Sequence, residues 1–249
     1  MTHPSLFDKL LQLRIPAFRA GLREQESNPQ YAELSFEERL TLLVDLECTR
    51  RSDNRLRRQL KLAEFPLRAT MEELDFAPGR GLDRRLILEL AQGNWIHNYL
   101  NLLIMGPTGC GKTYLACALG SSACRSGFKV RYVRTSRLLH QLERSRLDGS
   151  YANLLRSLAK VDVLIFDDWM RDPIPVASAQ DLLEVFDDRF NRSSTIIASQ
   201  VPIAEWHARF PDPTLADAIL DRLIHNAYRL TLLGESQRKL RAIRTMPIS

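Results

Sequence analysis

The eight residues Gly106-Pro107-Thr108-Gly109-Cys110-Gly111-Lys112-Thr113 constrain this chain more than any other stretch. They fit G-x-x-x-x-G-K-[ST], a loop that wraps phosphate with its own backbone. The flanks agree with the letters. Leu102, Leu103, Ile104 and Met105 form a short apolar run that reads as a buried parallel strand, and Leu115, Ala116, Ala118, Leu119 and Ala123 recur as one face of a helix. The loop therefore joins a strand to a helix N-terminus, where N–H groups converge and the helix dipole favours an anion. Its glycines let the main chain curl around a β-phosphate without Cβ clashes. Lys112 is expected to reach the β- and γ-phosphates of ATP, and the Thr113 hydroxyl to ligate Mg²⁺. Gly106 to Thr113, with Tyr114 beside them, form the expected nucleotide-binding segment.

Two further strand ends carry polar residues. The apolar run Val161 to Phe166 closes on Asp167-Asp168. Ligands of parallel α/β sheets lie outside the carboxyl ends of the strands, which is where this pair emerges. Asp167 is expected to hold Mg²⁺ through water opposite Thr113, and Asp168 to orient or deprotonate an attacking water. Ser199-Gln200 follows the run Thr195 to Ala198 and lies beside the γ-phosphate if that strand sits between the other two. Arg222 and Arg238 are candidate cations for charge developing on that phosphate. A surface ion pair is the commoner fate of an arginine, so the residues alone leave both open.

Strands at 102–105, 129–133, 161–168, 195–198 and 228–232 alternate with helical segments, including 83–92, 181–191, 214–225 and a last one at 235–244. This alternation predicts an α/β fold with a parallel sheet covered by helices on both faces. Residues 1–66 are helical throughout, with a capping box at Ser35 and Glu38 and a long helix whose second half is basic. We expect a small all-helical N-terminal region over 1–66 and a nucleotide-binding domain over 67–249, with the boundary near Pro66. The basic half of the long helix balances against nearby glutamates, so a solvated face fits it as well as an arm that packs on a neighbouring subunit or touches nucleic acid.

The net charge is +5 and the sequence pI about 9.2, compatible with a polyanionic partner. The distribution says more. Nine basic residues fall between Arg125 and Lys160, against two acids, Glu143 and Asp148. A segment so one-sided suits the phosphate backbone of DNA, and Arg131, Arg134, Arg137, His140, Arg144 and Arg146 are the expected contacts. No helix-turn-helix or zinc-finger spacing accompanies them, so little sequence preference is expected. No apolar run approaches the roughly 20 residues of a membrane span, and no signal peptide is visible. The four cysteines form no C-x-x-C pair, which suits reduced thiols in the cytoplasm.

Taken with the Asp167-Asp168 pair, Ser199-Gln200 before Pro202 and Trp206, the segment Asp221-Arg222-Leu223-Ile224-His225 and Gly234-Glu235-Ser236-Gln237-Arg238, the phosphate loop resembles that of the IstB family. These are AAA+ ATPases that help bacterial insertion sequences transpose, and they are similar to DnaC-type helicase loaders. The resemblance spans nearly the whole chain. Gln200 stands where relatives usually carry Asn, and Gln237 where an aromatic is usual. The resemblance implies a protein that oligomerises on duplex DNA with ATP and recruits and stimulates an IstA-type DDE transposase. It makes Lys112, Thr113 and Asp167 the ATP–Mg²⁺ ligands and Asp168 the catalytic acid. Arg222 becomes an arginine finger and Arg238 a second sensor. A replicative helicase loader, a small-molecule P-loop kinase and a filament in which hydrolysis is incidental are the alternatives.

Overall fold

The computed structural model describes residues 5–234. The expected helix at 235–244 and Arg238 lie outside the described residues. The chain divides into two compact units between Arg58 and Gln59.

The first unit is helical. Helix α1 (Leu6–Gln12) opens on a capping box between Ser5 and Asp8, and α2 (Pro16–Ser27) opens on a proline whose fixed φ suits a first turn. A 3-10 turn at Pro29–Glu33 leads to α3 (Phe36–Leu62), where Ser35 and Glu38 exchange capping hydrogen bonds. Helices α2 and α3 approach closely at Gly21, where a Cβ would meet Leu43 and Leu46 side chains within 3 Å. The N-terminus of α2 has no side-chain cap of its own. Glu47 of α3 supplies one, accepting from the N–H groups of Ala17 at 2.9 Å and Phe18 at 3.4 Å.

The division falls inside α3 and not at Pro66, because the end of that helix is tied to the second unit. Gln59 Nε2 donates to Gly127 O at 2.7 Å, and Tyr132 N donates to Ala63 O at 2.8 Å. The latter bond satisfies a backbone donor on an edge strand, a group that costs free energy if left unpaired.

The second unit is built on five parallel strands: β1 (Asn101–Met105), β2 (Val130–Arg134), β3 (Val163–Asp167), β4 (Ser194–Ser199) and β5 (Ala227–Thr231). Their order across the sheet is β2-β3-β4-β1-β5. Helices α4 (Arg84–Ala91), the single turn α5 (Asn94–His97), α6 (Lys112–Arg125), α7 (Thr135–Leu147), α8 (Tyr151–Ala159), α9 (Val176–Arg189) and α10 (Pro213–Ile224) connect them. Alternation along the strands divides the sheet into two faces. Leu103, Met105, Phe166 and Ile197 join a core formed with α7, α8, α9 and α10. On the opposite face α6 crosses so closely that a Cβ on Gly120 would meet Ile165 and Phe65 within 3 Å. Helix α9 begins five residues before the sequence expectation, because Pro175 at its N-cap lets Val176 start the first turn. Among the described residues, no helix is long and apolar enough to cross a membrane.

Candidate nucleotide and metal site

The strand order decides which residues meet. β4 lies between β1 and β3, so the carboxyl ends of all three open at one rim of the sheet. The glycine loop follows β1 there. Gly106 has φ of 150°, and a Cβ on it would lie 2.5 Å from Leu232 O and 2.8 Å from Cys110 Sγ. Gly111, at φ 104°, is the N-cap of α6 and supplies no side-chain acceptor. The first N–H groups of α6 are thus presented at the loop, as an anionic ligand requires. Lys112 Nζ donates to Gly106 O and Pro107 O, each at 2.8 Å, which keeps the ammonium over the loop.

The two residues expected at the metal are in direct contact. Thr113 Oγ1 donates to Asp167 Oδ2 at 2.8 Å, bringing together an hydroxyl and a carboxylate from α6 and β3. This pair of hard oxygen donors suits Mg²⁺. Asp168 adopts the left-handed conformation at φ 56°, uncommon for a residue with a side chain. The neighbours over-determine it. Trp169 N donates to Ala198 O at 3.0 Å, and the Trp169 ring is fully buried against Phe166, Phe186, Trp206 and Phe210. The turn leaves the Asp168 side chain 42% exposed, 3.7 Å from Arg171.

Ser199 and Gln200 part company. Gln200 reaches the glycine loop, its Oε1 accepting from Thr108 Oγ1. Ser199 is buried, donates to Trp169 O at 2.7 Å and accepts from Val201 N at 3.0 Å. Contrary to expectation, its hydroxyl does not face the loop; it ties the ends of β3 and β4 together. Tyr114 also turns aside, donating its hydroxyl to Glu73 at 2.6 Å and accepting from Thr70 N at 3.4 Å.

Arg222 is far from this rim. Asn101, the first residue of β1, donates through Nδ2 to Arg222 O at 3.1 Å, and the Arg222 guanidinium pairs with Asp187 and with Ala218 O. It therefore stands at the amino end of the sheet, about 13 Å of strand from the glycine loop.

Three groups at the rim carry no signal in the sequence. Arg80, buried in a turn-rich loop, donates to Cys110 O at 2.7 Å and to Asp75 at 3.2 Å, bracing the glycine loop from outside. Tyr132 of β2 donates to Asp167 Oδ2 at 2.6 Å, and Thr135 Oγ1 donates to Asp167 O at 2.9 Å. Burial, and then the adjacent carboxylate, push the Tyr132 hydroxyl far above its ordinary range, so it remains a donor. Cys117 of α6 lies on the same side, and burial followed by the Asp167 charge pushes its thiol up to about 12.

The basic segment 125–160 does not form one surface. Arg137, His140 and Arg144 recur every three or four residues on α7 and line one open groove with Gln141. Arg131 lies on β2 and donates to Ser157 Oγ at 3.3 Å. Arg134, opposite Asp167 in the sheet register, is held above its usual range first by hydrogen bonding to Tyr132 and further by Asp168 and Asp167. Arg146, expected to face DNA, instead lies over the Tyr151 ring at 3.9 Å and donates through Nε to the buried Asp181 at 2.8 Å.

A family model described as IstB-like ATP binding protein matches residues 8–245. An insertion sequence ATP-binding protein of Sinorhizobium fredii is 45% identical over 239 residues, covering 96% of this chain and 97% of that protein. Another, from Pseudomonas fluorescens, is 48% identical over 219 residues, covering 86% and 94%. Among solved structures, DnaI aligns with TM-score 0.58 at 21% identity, over 71% of this chain and 93% of its own. AMPPCP-bound DnaA from Aquifex aeolicus aligns with TM-score 0.58 at 18% identity, over 74% and 57%. At these identities the structures share the fold, a P-loop AAA+ sheet flanked by helices.

Proposed function

The chain belongs to the IstB-like ATP binding protein family, and on that premise we propose that it is a Mg²⁺-dependent ATPase that assembles on duplex DNA and recruits and stimulates an IstA-type DDE transposase. The separation of Arg222 from the other candidate catalytic groups supports this most directly. Lys112, Thr113, Asp167, Asp168 and Gln200 gather at one rim of the sheet, whereas the arginine that would complete them stands at the other end. A single copy cannot bring the two together, and a homo-oligomer can, with Arg222 entering the site of a neighbour.

In this scheme the α6 N–H groups and Lys112 bind the phosphates, and Thr113 and Asp167 hold Mg²⁺. A cation held by Thr113 and Asp167 would offset the negative charge of the phosphates. Asp168 accepts a proton from the attacking water, which Gln200 orients, and Arg222 of a second copy neutralises charge developing on the γ-phosphate. Arg238 acts as a second sensor. Arg137, His140 and Arg144 of α7 meet the DNA backbone, and the helical first unit contacts a partner or a neighbouring copy. Such work belongs in the cytoplasm.

The deciding measurement is the ATPase rate with and without duplex DNA across a salt series, with light scattering for assembly. Stimulation and assembly that fade together as salt rises are expected. An unchanged rate without assembly, together with stronger capture of a replicative helicase than of a transposase, would replace this function by helicase loading.

A further inference from the structure

Asp167 is tethered at three points. Thr113 and Tyr132 both donate to Oδ2, at 2.8 and 2.6 Å, and Thr135 donates to the main-chain oxygen at 2.9 Å. Thr113 is accounted for as a partner in cation binding. Tyr132 is not. Its ring is 6% exposed and packs as phenylalanine would, yet it carries a hydroxyl whose burial costs free energy unless a partner receives it. That partner is a carboxylate, and a bond to a charged acceptor is about twice as strong as a neutral one. Both side-chain donors converge on Oδ2 and Oδ1 takes neither, so rotation of the carboxylate is fixed and its two oxygens are made unequal. Tyr132 and Thr135 lie on either side of Arg134, so one corner, where β2 passes into α7, holds Asp167 by its side chain and by its backbone.

We propose that Tyr132 is a positioning residue of the divalent-cation site, its hydroxyl fixing the Asp167 carboxylate in the orientation that receives the ion. This rests on the assignment of Thr113 and Asp167 as the cation pair. Groups that orient a ligand from behind commonly change metal affinity by about 10-fold or more when removed.

The test is binding of a fluorescent ATP analogue to the full chain, measured over a Mg²⁺ titration and again in EDTA. For Tyr132→Phe the Mg²⁺ midpoint is expected to rise about 10-fold, while affinity in EDTA stays as in the wild type. In an Asp167→Asn background the same substitution should shift the midpoint no further, because Tyr132 acts only through that carboxylate. Tyr132→Leu, which keeps an apolar side chain in the buried position and lacks the hydroxyl, should move the midpoint in the same direction, and it decides the matter alone if Tyr132→Phe does not fold. An unshifted midpoint in these variants overturns the proposal. If Asp167→Asn itself binds with wild-type Mg²⁺ dependence, the cation pair has been misassigned and the proposal falls with it.

Discussion

Gly106 shows how one residue can be fixed by geometry alone. Its φ of 150° belongs to a region open to glycine, and a Cβ there would strike Leu232 O. Gly106→Ala should cost about 1–3 kcal/mol of stability and abolish nucleotide binding, read by thermal melting and by a fluorescent ATP analogue. Lys112→Ala should retain the melting temperature and lose the nucleotide. These residues were legible in the sequence because the loop is a local device, its spacing written in consecutive positions. Arg80, Tyr132 and Thr135 were not. Each meets the site from a segment remote in the chain, and nothing in a turn-rich loop or an alternating strand marks which side chain the fold will aim inward. Ser199 failed for a related reason: adjacent residues at a strand end point to opposite sides, and only Gln200 reaches the loop.

Among the elements, α7 separates what the linear charge run had merged. Helical spacing collects Arg137, His140 and Arg144 in one groove and sends Arg146 to the buried Asp181. Arg137→Ala and Arg144→Ala should each weaken DNA binding uniformly across sequences and reduce the salt slope by about 1, measured by fluorescence anisotropy. Arg146→Ala should leave that slope alone and destabilise the fold by about 1–3 kcal/mol, since a buried acceptor loses its charged donor. Helix α3 carries a pH-dependent cap. Burial alone would raise the Glu47 carboxyl, but hydrogen bonds from Arg51, Arg50, Ala17 and Phe18 outweigh it and hold it below the usual glutamate range. A carboxylate depressed in the folded state stabilises above its unfolded value, near 4.3, and that stability is lost as pH falls through the folded value. On acid titration of the full chain, part of the far-UV helical signal should fall before the fluorescence of Trp95, Trp169 and Trp206 changes, because all three tryptophans lie in the second unit. Glu47→Gln should lower that early stability at neutral pH and flatten its acid dependence.

For the whole molecule, strand alternation in the sequence implied a parallel sheet but could not order it, since order depends on which crossovers pass over which neighbours. The placement of β4 between β1 and β3 is what brings Gln200, Asp167 and the glycine loop to one rim, and Arg222, in the last turn of α10 beside the start of β1, stands at the other. On the proposed mechanism, Arg222→Ala should bind ATP normally and turn it over about 10³-fold more slowly, the lower end of the range of about 10³–10⁵ that such an arginine can supply. Mixing tests the arrangement directly. Lys112→Ala lacks a working pocket but keeps Arg222, and Arg222→Ala has the complementary defect. Together they should recover activity that neither has alone; a mixture that stays inactive would return Arg222 to its ion pair with Asp187.

On the proposed mechanism, the distance between the two rims of the sheet would act as a timer. Each solitary copy would then be a safe store of its fuel, because the part that triggers breakdown would be carried by another copy. Crowding on a shared track would start the countdown, and the outermost copy of an open row, with a neighbour on one side only, would keep its charge longest.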